Sequence, residues 1–181
     1  YPFLDIMLND SVNINNCIDQ RGPPIWIAIS TDNIPMMRYL LSHGALLNFV
    51  MPGIKSNLSH AILGGHQKSL AFLLSQKDIL LQAGIGTLLT PVVCALEKKD
   101  ESILKALFSA FKDINEEQYL KSRVKINNSY KRTLLSISIE YYTLRSEDIY
   151  KNTIKWLVEH KKADINTLNS DLNQTPLSMV L

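Results

Sequence analysis

This sequence has few cysteines and almost no excess of either charge. Its two cysteines, Cys17 and Cys94, are too few for a disulfide framework, and no CxxC or Cys/His spacing suggests zinc. Free thiols are typical of a reducing compartment, so we expect a cytoplasmic protein. The 19 lysines and arginines nearly balance the 17 aspartates and glutamates. The resulting net charge of +2 does not by itself favour nucleic acid or a membrane surface as a partner.

Catalytic motifs are missing as well. The sequence has no G-x-S-x-G, no P-loop, no G-x-G-x-x-G after a strand and no H-E-x-x-H. Gly84-Ile85-Gly86 is a lone G-x-G, which is typical of a turn. Cys94 has no histidine or cation beside it in sequence that would activate its thiol. We therefore expect no enzymatic activity, no metal and no cofactor in this chain.

One uncharged segment imitates a membrane span. Residues Ile79 to Leu96 approach the length of a membrane-crossing helix, but Gly84, Gly86 and Pro91 would break it. A membrane span is therefore not expected. The chain begins at Tyr1, with no initiator methionine and no signal peptide, so we expect a fragment of a larger protein that is monomeric when isolated.

What the sequence does contain is a helical pattern, clearest from Pro24 to Asn48. A first apolar run is followed by polar residues and then by a second run at helical spacing: Met36, Met37, Leu40 and Leu41. Pro35 stands where a first helical turn tolerates proline, and Gly44 stands where a helix is capped at its C-terminus. The stretch predicts two short helices.

The pattern recurs with a period of 33 residues. Asn48 follows Asn15 by 33 residues, and Ala61 follows Ala28 by the same distance. A period of this length is typical of repeat proteins. In them, each helix pair is too short to bury its apolar face alone and stacks on its neighbours.

These units resemble the ankyrin repeat, whose pattern runs T-P-L-H-x-A-A, a Gly-His break, and then V-V-x-L-L-L-x-x-G-A-x-x-N. The clearest start is Thr90-Pro91-Val92-Val93-Cys94-Ala95-Leu96, and Gly65-His66 reproduces the break. The resemblance covers nearly the whole chain and implies an all-α solenoid of stacked helix-turn-helix pairs with hairpin loops. It implies one domain, 1–181, with repeats at 1–18 (partial), 19–51, 52–84, 85–118, 119–169 and 170–181 (partial).

The repeats depart from the family pattern in two ways. The histidine after T-P-L, which would bond within and between repeats, is replaced by Trp26, Ser59, Val93, Ser136 and Ser178. We therefore expect weaker polar bonding between repeats. In addition, Asn115 and Asn166 are 51 residues apart, 18 more than the period. The extra residues are expected in exposed loops at Glu116–Arg132 and Tyr141–Asn152.

The resemblance also implies where a partner binds. In ankyrin proteins, hairpin tips and first-helix ends form one concave face. The matching positions here are Gln20, Arg21, Ser30, Thr31, Lys55, Leu63, Glu97, Lys98, Arg132, Glu140 and Tyr141. Tyr141 is the expected anchor, because tyrosine buries a large area at low entropic cost. The run Phe49, Val50 and Met51 at a hairpin tip is explained equally well by a partner or by a neighbouring repeat.

The segment from Lys121 to Arg132 is strongly basic. It has no acidic residue, Asn127-Asn128 could turn a hairpin, and its cations are Lys121, Arg123, Lys125, Lys131 and Arg132. One interpretation is a finger that meets an acidic partner, a phosphate or an anionic lipid. The other, which we favour, is a solvated edge whose lysines discourage aggregation.

Together these features predict a protein–protein interaction module within a larger protein. Richness in Ile, Asn and Lys, with degenerate repeats, suggests an intracellular bacterium and an effector that acts on host proteins in the host cytosol. The alternatives are a substrate-recruiting segment of an enzyme whose catalytic domain lies elsewhere, and an anionic-ligand binder through residues 121–132. Nucleic acid is not expected as the main partner.

The resemblance further implies a modification site. The turn asparagines Asn115 and Asn166 lie where ankyrin proteins can be hydroxylated by a cytosolic oxygenase. The alternative is that both residues only cap their turns.

Overall fold

The structure, a computed structural model, describes residues 13–17, 22–49, 56–76, 79, 91–110, 124–126, 130–159, 163–168 and 173–179. These ranges contain α1 (Pro24–Ser30), α2 (Ile34–Ser42), α3 (Asn57–Gly64), α4 (Gln67–Leu74), α5 (Pro91–Lys98), α6 (Glu101–Ala110), β1 (Val124–Ile126), β2 (Tyr130–Arg132), α7 (Leu134–Arg145), α8 (Asp148–Glu159) and a 3₁₀ turn (Leu177–Met179). We call the four helix pairs units 1 to 4. The predicted helical architecture is confirmed.

The units stack in chain order. The first helices α1, α3 and α5 pack side by side, and the second helices α2, α4 and α6 form a parallel row behind them. The largest fully buried apolar side chains come from all four units: Ile25, Ile29, Met37, Leu58, Ile62, Leu73, Leu96, Leu107, Ile137 and Leu157. The core is therefore continuous along the stack, as expected for units that cannot fold alone.

Helix starts are capped by short polar side chains. Asn33 accepts a hydrogen bond from the Met36 amide at 3.0 Å, and Pro35 lies in the first turn of α2, as predicted. Ser56 and Thr133 cap α3 and α7 in the same way. Their hydroxyls also bond the hydroxyls of Ser59 at 3.1 Å and Ser136 at 2.9 Å. Serine thus makes the local hydrogen bond that we assigned to the repeat's histidine.

In the short break between the two helices of each unit, one residue adopts the left-handed conformation. These residues are Asp32 (φ 49°), Gly65 (φ 72°), Lys99 (φ 55°) and Ser146 (φ 51°). Only unit 2 uses glycine, the residue that adopts this conformation without strain. The geometry of the break is therefore preserved although its residue type is not.

The expectation of a loop over Tyr141–Asn152 was wrong. Helix α7 continues to Arg145 and α8 begins at Asp148, so each helix has 12 residues, against eight in both helices of unit 2. Four extra residues add about one helical turn, or roughly 6 Å. The insertion therefore lengthens the helix pair. The other insertion contains the hairpin of β1 and β2, which was hypothesised from its asparagines.

Units 1 and 2 are joined through a buried asparagine. Asn57 is fully buried, and its Oδ1 accepts a hydrogen bond of 2.8 Å from Nε1 of Trp26. Its Nδ2 donates to the carbonyl oxygens of Leu46 at 3.0 Å and Leu47 at 2.7 Å. The expected weakening of polar bonding between repeats therefore does not hold here, because Trp26 bonds the next unit directly.

Unit 1 also caps a helix of unit 2. Residue His66, which precedes α4, makes no side-chain cap, and Oδ1 of Asp32 accepts the Ser69 amide at 2.8 Å instead. Burial by itself raises the pKa of Asp32, but hydrogen bonds from Ser69 and Lys68 and the charge of His66 outweigh it. The pKa of Asp32 therefore lies below its usual value.

No helix in the described ranges is long and apolar enough to cross a bilayer.

The cap formed by Asp32 gives a pH-dependent stability. Replacing Asp32 by asparagine, which tolerates the positive φ, should lower the free energy of unfolding at neutral pH by about 0.5–1 kcal/mol. A carboxylate whose pKa is lowered by folding stabilises above its unfolded pKa of about 4 and loses that effect as the pH falls. Urea titrations should therefore show the gap between wild type and variant narrowing as the pH falls below about 4.

The matched control is Glu101→Gln, which removes one exposed negative charge from a surface pair with Lys105 at 3.0 Å. Surface pairs of this kind contribute little, so the control should change stability by less than about 0.5 kcal/mol. A gap for Asp32→Asn that stays constant from neutral to acid pH would contradict the assigned role.

Candidate functional site

The first helices carry one position whose accessibility differs between the units. It precedes the buried small residues Ala28, Ala61, Ala95 and Ser138, and we call it the inner-row position. Its four occupants are Ile27, His60, Cys94 and Ile137. Ile27 is 41% exposed and His60 is half-buried, whereas Cys94 and Ile137 are fully buried. The middle of the first-helix face is thus accessible in units 1 and 2 only.

A second set of positions follows the buried small residue of each first helix by two or three places, and we call it the helix-end row. In units 1 to 3 it lies at the C-terminal end of the helix, whereas α7 continues past it to Arg145. Its members are Ser30, Thr31, Leu63, Gly64, Glu97, Lys98, Glu140 and Tyr141. All of them are exposed or half-buried. The packing of α1 on α3 and of α3 on α5 joins the row through units 1 to 3, and the Tyr141 hydroxyl contacts Glu97 between units 3 and 4.

An aromatic stack supports the row between units 1 and 2. The ring of His60 lies over that of Trp26, with centroids 4.5 Å apart and planes 8° from parallel. Nε2 of His60 and the hydroxyl of Ser30 are 2.9 Å apart, which is a hydrogen bond across the two units. The His66 ring lies 5.9 Å from that of His60. His60 is therefore positioned by contacts on both of its sides.

A tyrosine joins units 3 and 4 in the same row. The hydroxyl of Tyr141 donates to Oε1 of Glu97 at 3.3 Å, and its ring meets Tyr150 edge-on at 5.5 Å. Arg145 lies 5.1 Å from the Tyr141 ring centroid and donates to the Tyr150 hydroxyl at 3.0 Å. Burial, with the nearby charge of Glu97, raises the pKa of Tyr141 to about 12. Tyr141 thus already serves a contact between units.

The junction of units 3 and 4 has further contacts at its rim. Lys99, the left-handed residue of unit 3, pairs with Glu147 beside the unit 4 break. The buried hydroxyl of Tyr150 lies 3.5 Å from the Leu96 carbonyl oxygen. The added helical turn of unit 4 is what places these groups against unit 3.

Solved structures share this architecture. The crystal structure of EF0377, an ankyrin repeat protein, matches with a TM-score of 0.62 and 19% identity, over 98% of this chain and 83% of that one. The chain has the ankyrin-repeat fold. The human ASB11 ankyrin repeat domain is a weaker match, with a TM-score of 0.48 and 14% identity over 97% of this chain and 85% of that one. No family model and no curated protein matches the sequence.

The hairpin tip of unit 1 is described for Phe49 but not for Val50 and Met51. Phe49 is half-buried and meets Trp26 edge-on at 6.3 Å, and its carbonyl oxygen accepts the Asn57 amide at 3.2 Å. The Phe49 ring therefore packs within unit 1, and its backbone bonds unit 2. Asn15, the turn asparagine before unit 1, also bonds the next repeat. Its side-chain Nδ2 donates to the Gly44 carbonyl oxygen, and its Oδ1 accepts from the Leu46 amide.

Several predicted residues lie outside the described part of the chain: Gln20, Arg21, Val50, Lys55, Asn115, Lys121 and Arg123. For Lys125, Lys131 and Arg132 the structure gives the backbone only. Asn166 is exposed, and its amide donates to Asp164 at 2.8 Å within a turn. Its hydroxylation stays a prediction, as does the binding role of every residue of the helix-end row.

Sequence reasoning missed Ile27 and His60. Both lie at the accessible part of the first-helix row, yet neither was among the residues expected to bind a partner. A comparison of the inner-row position across units would have singled out His60 by its polarity, but not Ile27, because Ile137 is the same residue type. It would not have predicted their exposure, because burial depends on what covers each helix.

The arrangement offers surfaces for binding and little for chemistry. Among the described residues, no three His, Cys, Asp or Glu side chains converge as metal ligands. Cys17 is exposed, Cys94 is buried and neither forms a disulfide. On the opposite side, a groove of about 270 Å³ separates α4 from α6, and one of about 140 Å³ separates α6 from α8.

Tyr141 and Glu97 should be energetically coupled. Replacing Tyr141 by phenylalanine or Glu97 by glutamine weakens the same hydrogen bond, so the double variant should be more stable than the sum of the single losses predicts. We expect a coupling free energy of roughly 0.5–1.5 kcal/mol from urea unfolding. Tyr142→Phe, one residue along α7, is the control for losing a hydroxyl. Strict additivity of Tyr141 and Glu97 would show that the contact is not formed in solution.

Proposed function

We propose that this chain is a protein-interaction module whose partner binds across the first-helix face, centred on units 1 and 2. The observation that carries this proposal is the exposure of the inner-row position. Ile27 is 41% exposed, whereas the equivalent Cys94 and Ile137 are fully buried. An isoleucine at the middle of an otherwise packed helix face is an accessible apolar anchor, and its neighbours supply the polar surroundings.

The composition of this patch suits a protein partner. Ile27 and the half-buried Leu63 provide apolar surface, and Ser30, Thr31 and His60 provide hydrogen-bonding groups around it. Protein interfaces commonly place a few apolar anchors inside a polar rim, and only a minority of residues carry most of the binding energy. The exposed charged residues Glu97 and Lys98 belong to the same row. Charges at the edge of an interface contribute more to the choice of partner than to the affinity.

The centre that we propose for the site differs from the one expected from the sequence. The inner row is covered in units 3 and 4, and Tyr141 is engaged with Glu97. We therefore assign the main anchor to Ile27 and keep Glu97, Lys98, Glu140 and Tyr141 as the rim of the same surface. Binding residues still come from several consecutive units, as a stacked array makes natural.

The chain is proposed to act without catalysis of its own. The alternative, a substrate-recruiting segment of an enzyme, would use the same face, so a longer sequence with a catalytic motif separates the two. The role as a bacterial effector in the host cytosol rests on composition and degenerate repeats, and it stays a prediction.

A photo-crosslinking amino acid tests the location of the binding face. Placed at Ile27 or Ser30, it should capture a specific protein from cell lysate, because both side chains are exposed on the first-helix side. Placed at Lys68 or Lys105, which are exposed on the second helices, it should not capture the same protein. Capture from the second-helix positions alone would place the binding face on the side of the two grooves.

The captured partner then allows a quantitative test. Ile27→Gln keeps a good helix former and should weaken binding by at least about 1–2 kcal/mol, measured by calorimetry. Its thermal midpoint should change little, because Ile27 is already 41% exposed. The control is Val158→Gln, a similarly exposed apolar residue on α8 at 38%. Equal losses for both variants would refute a site centred on Ile27.

A further inference from the structure

The second helices carry one position at which unit 2 differs from the other units. It lies two residues before the leucine that is buried in each second helix: Leu40, Leu73, Leu107 and Leu157. Its occupants are Arg38, Ala71, Lys105 and Lys155, and all of them are exposed. Three units thus place a long cationic side chain on this side of the array, whereas unit 2 places a methyl group there.

The larger groove of the second-helix side opens at this alanine, between α4 and α6. Its volume is about 270 Å³, and its lining includes Gln67, Ala71, Leu74, Asp100, Ile103 and Ala106. Toward unit 1, the Arg38 guanidinium lies over the Phe72 ring, 4.8 Å from its centre. Toward unit 4, Lys105 borders the smaller groove and pairs with Glu101 at 3.0 Å. The larger groove therefore lies where the row of cations is interrupted.

The middle of this groove is apolar and is shaped by small side chains. Ala71 on α4 and Ala106 on α6 are exposed, and Leu74 and Ile103 beside them are half-buried. Alanines allow a further helix to approach closely, because the distance between packed helices depends on the side chains at the contact. Gln67, Ala71 and Leu74 recur at helical spacing, so the α4 wall is about two turns, or roughly 10 Å, long.

The groove has a negative charge at one end. Among the described residues that line it, Asp100 is the one charged side chain. Its Oδ1 caps α6 by accepting the amides of Ser102 at 3.0 Å and Ile103 at 3.1 Å, together with the Ser102 hydroxyl. The hydrogen bonds from the Ser102 hydroxyl and the Ile103 amide lower the pKa of Asp100. The carboxylate is therefore ionised at neutral pH, and the cap itself uses Oδ1 alone.

We propose that this groove is a second binding site, which takes an amphipathic helix of a partner protein with a lysine or arginine in its last turn. The apolar stripe of that helix would pack on Ala71 and Ala106, and its cation would meet the Oδ2 atom of Asp100. A cation in the last turn is also favoured by the dipole of the partner helix. The site lies on the second helices, so it does not rest on the face proposed around Ile27.

The walls of the groove disfavour the other occupants. Helices offer no main-chain pairing, so an extended segment would lose its water without gaining hydrogen bonds for its backbone. A second copy of this chain lacks the required end, because none of its described second helices has a lysine or arginine in its last turn. Nucleic acid requires cations, whereas the charge that lines this groove is negative.

Stapled peptides test the proposal on the whole chain. The probes are helical peptides whose apolar face carries alanine with leucine or phenylalanine, and whose last turn carries one lysine. We expect the best of them to shift the amide NMR signals of Ala71 and Ala106. It should bind at least about fivefold more tightly than the same peptide with glutamate for lysine, or with two central prolines that prevent a helix. Equal binding of the proline peptide, shifts confined to the first helices, or no binding by any probe would overturn the proposal. So would self-association of the chain through this groove.

A substitution at the alanine places the binding in the groove. Ala71→Arg restores the cationic side chain of the other units and keeps a good helix former, so the thermal midpoint should change little. It fills the groove and should weaken binding of the best peptide at least about tenfold. Thr143→Arg adds the same side chain at an exposed position of α7 and should weaken it less than about twofold. Equal effects of the two variants would refute a site between α4 and α6.

A second substitution tests the role of the carboxylate. Asp100→Asn keeps the cap of α6, because asparagine caps a helix as well as aspartate does. It should nevertheless abolish the preference for lysine over glutamate in the last turn of the peptide. Glu101→Gln removes the same charge one residue further on, at the border of the smaller groove, and should leave that preference intact. A preference that survives in Asp100→Asn would show that Asp100 does not meet the cation.

Discussion

The side-chain amide of Asn57 is the interaction on which the stacking of the first two units depends. It is fully buried, and it bonds the indole of Trp26 on one side and the carbonyl oxygens of Leu46 and Leu47 on the other. A buried amide left without these partners would cost roughly 1–3 kcal/mol for each unsatisfied group. Because the partners belong to the helix and the hairpin tip of unit 1, unit 2 can satisfy Asn57 only in this one docking arrangement.

The contacts between units 1 and 2 differ in chemistry from those between units 3 and 4. Units 1 and 2 share the Asn57 amide, the Asp32 cap and the stack of His60 on Trp26. Units 3 and 4 share the contact of Tyr141 with Glu97 and the pair of Lys99 with Glu147. A repeat protein sums the energies of neighbouring interfaces, so each junction can change its chemistry independently. The left-handed residue between the helices likewise differs in type from unit to unit.

This asymmetry matters for function. The first-helix face is accessible around Ile27 and closed at Cys94 and Ile137, so the fold does not present one uniform binding surface. The first units offer an apolar anchor with polar neighbours.

The repeat period, the helix pairs and the hairpin could be predicted from the sequence, because they depend on local periodicity, proline and glycine signals and fixed spacing. The sequence did not predict that the helices of unit 4 extend to Arg145 and from Asp148, that Trp26 bonds Asn57, or that Ile27 is exposed while Cys94 is buried. These features follow from tertiary packing. A helix end, a polar partner and a covered face all depend on which distant residues pack against a position, and spacing along the chain carries no record of that.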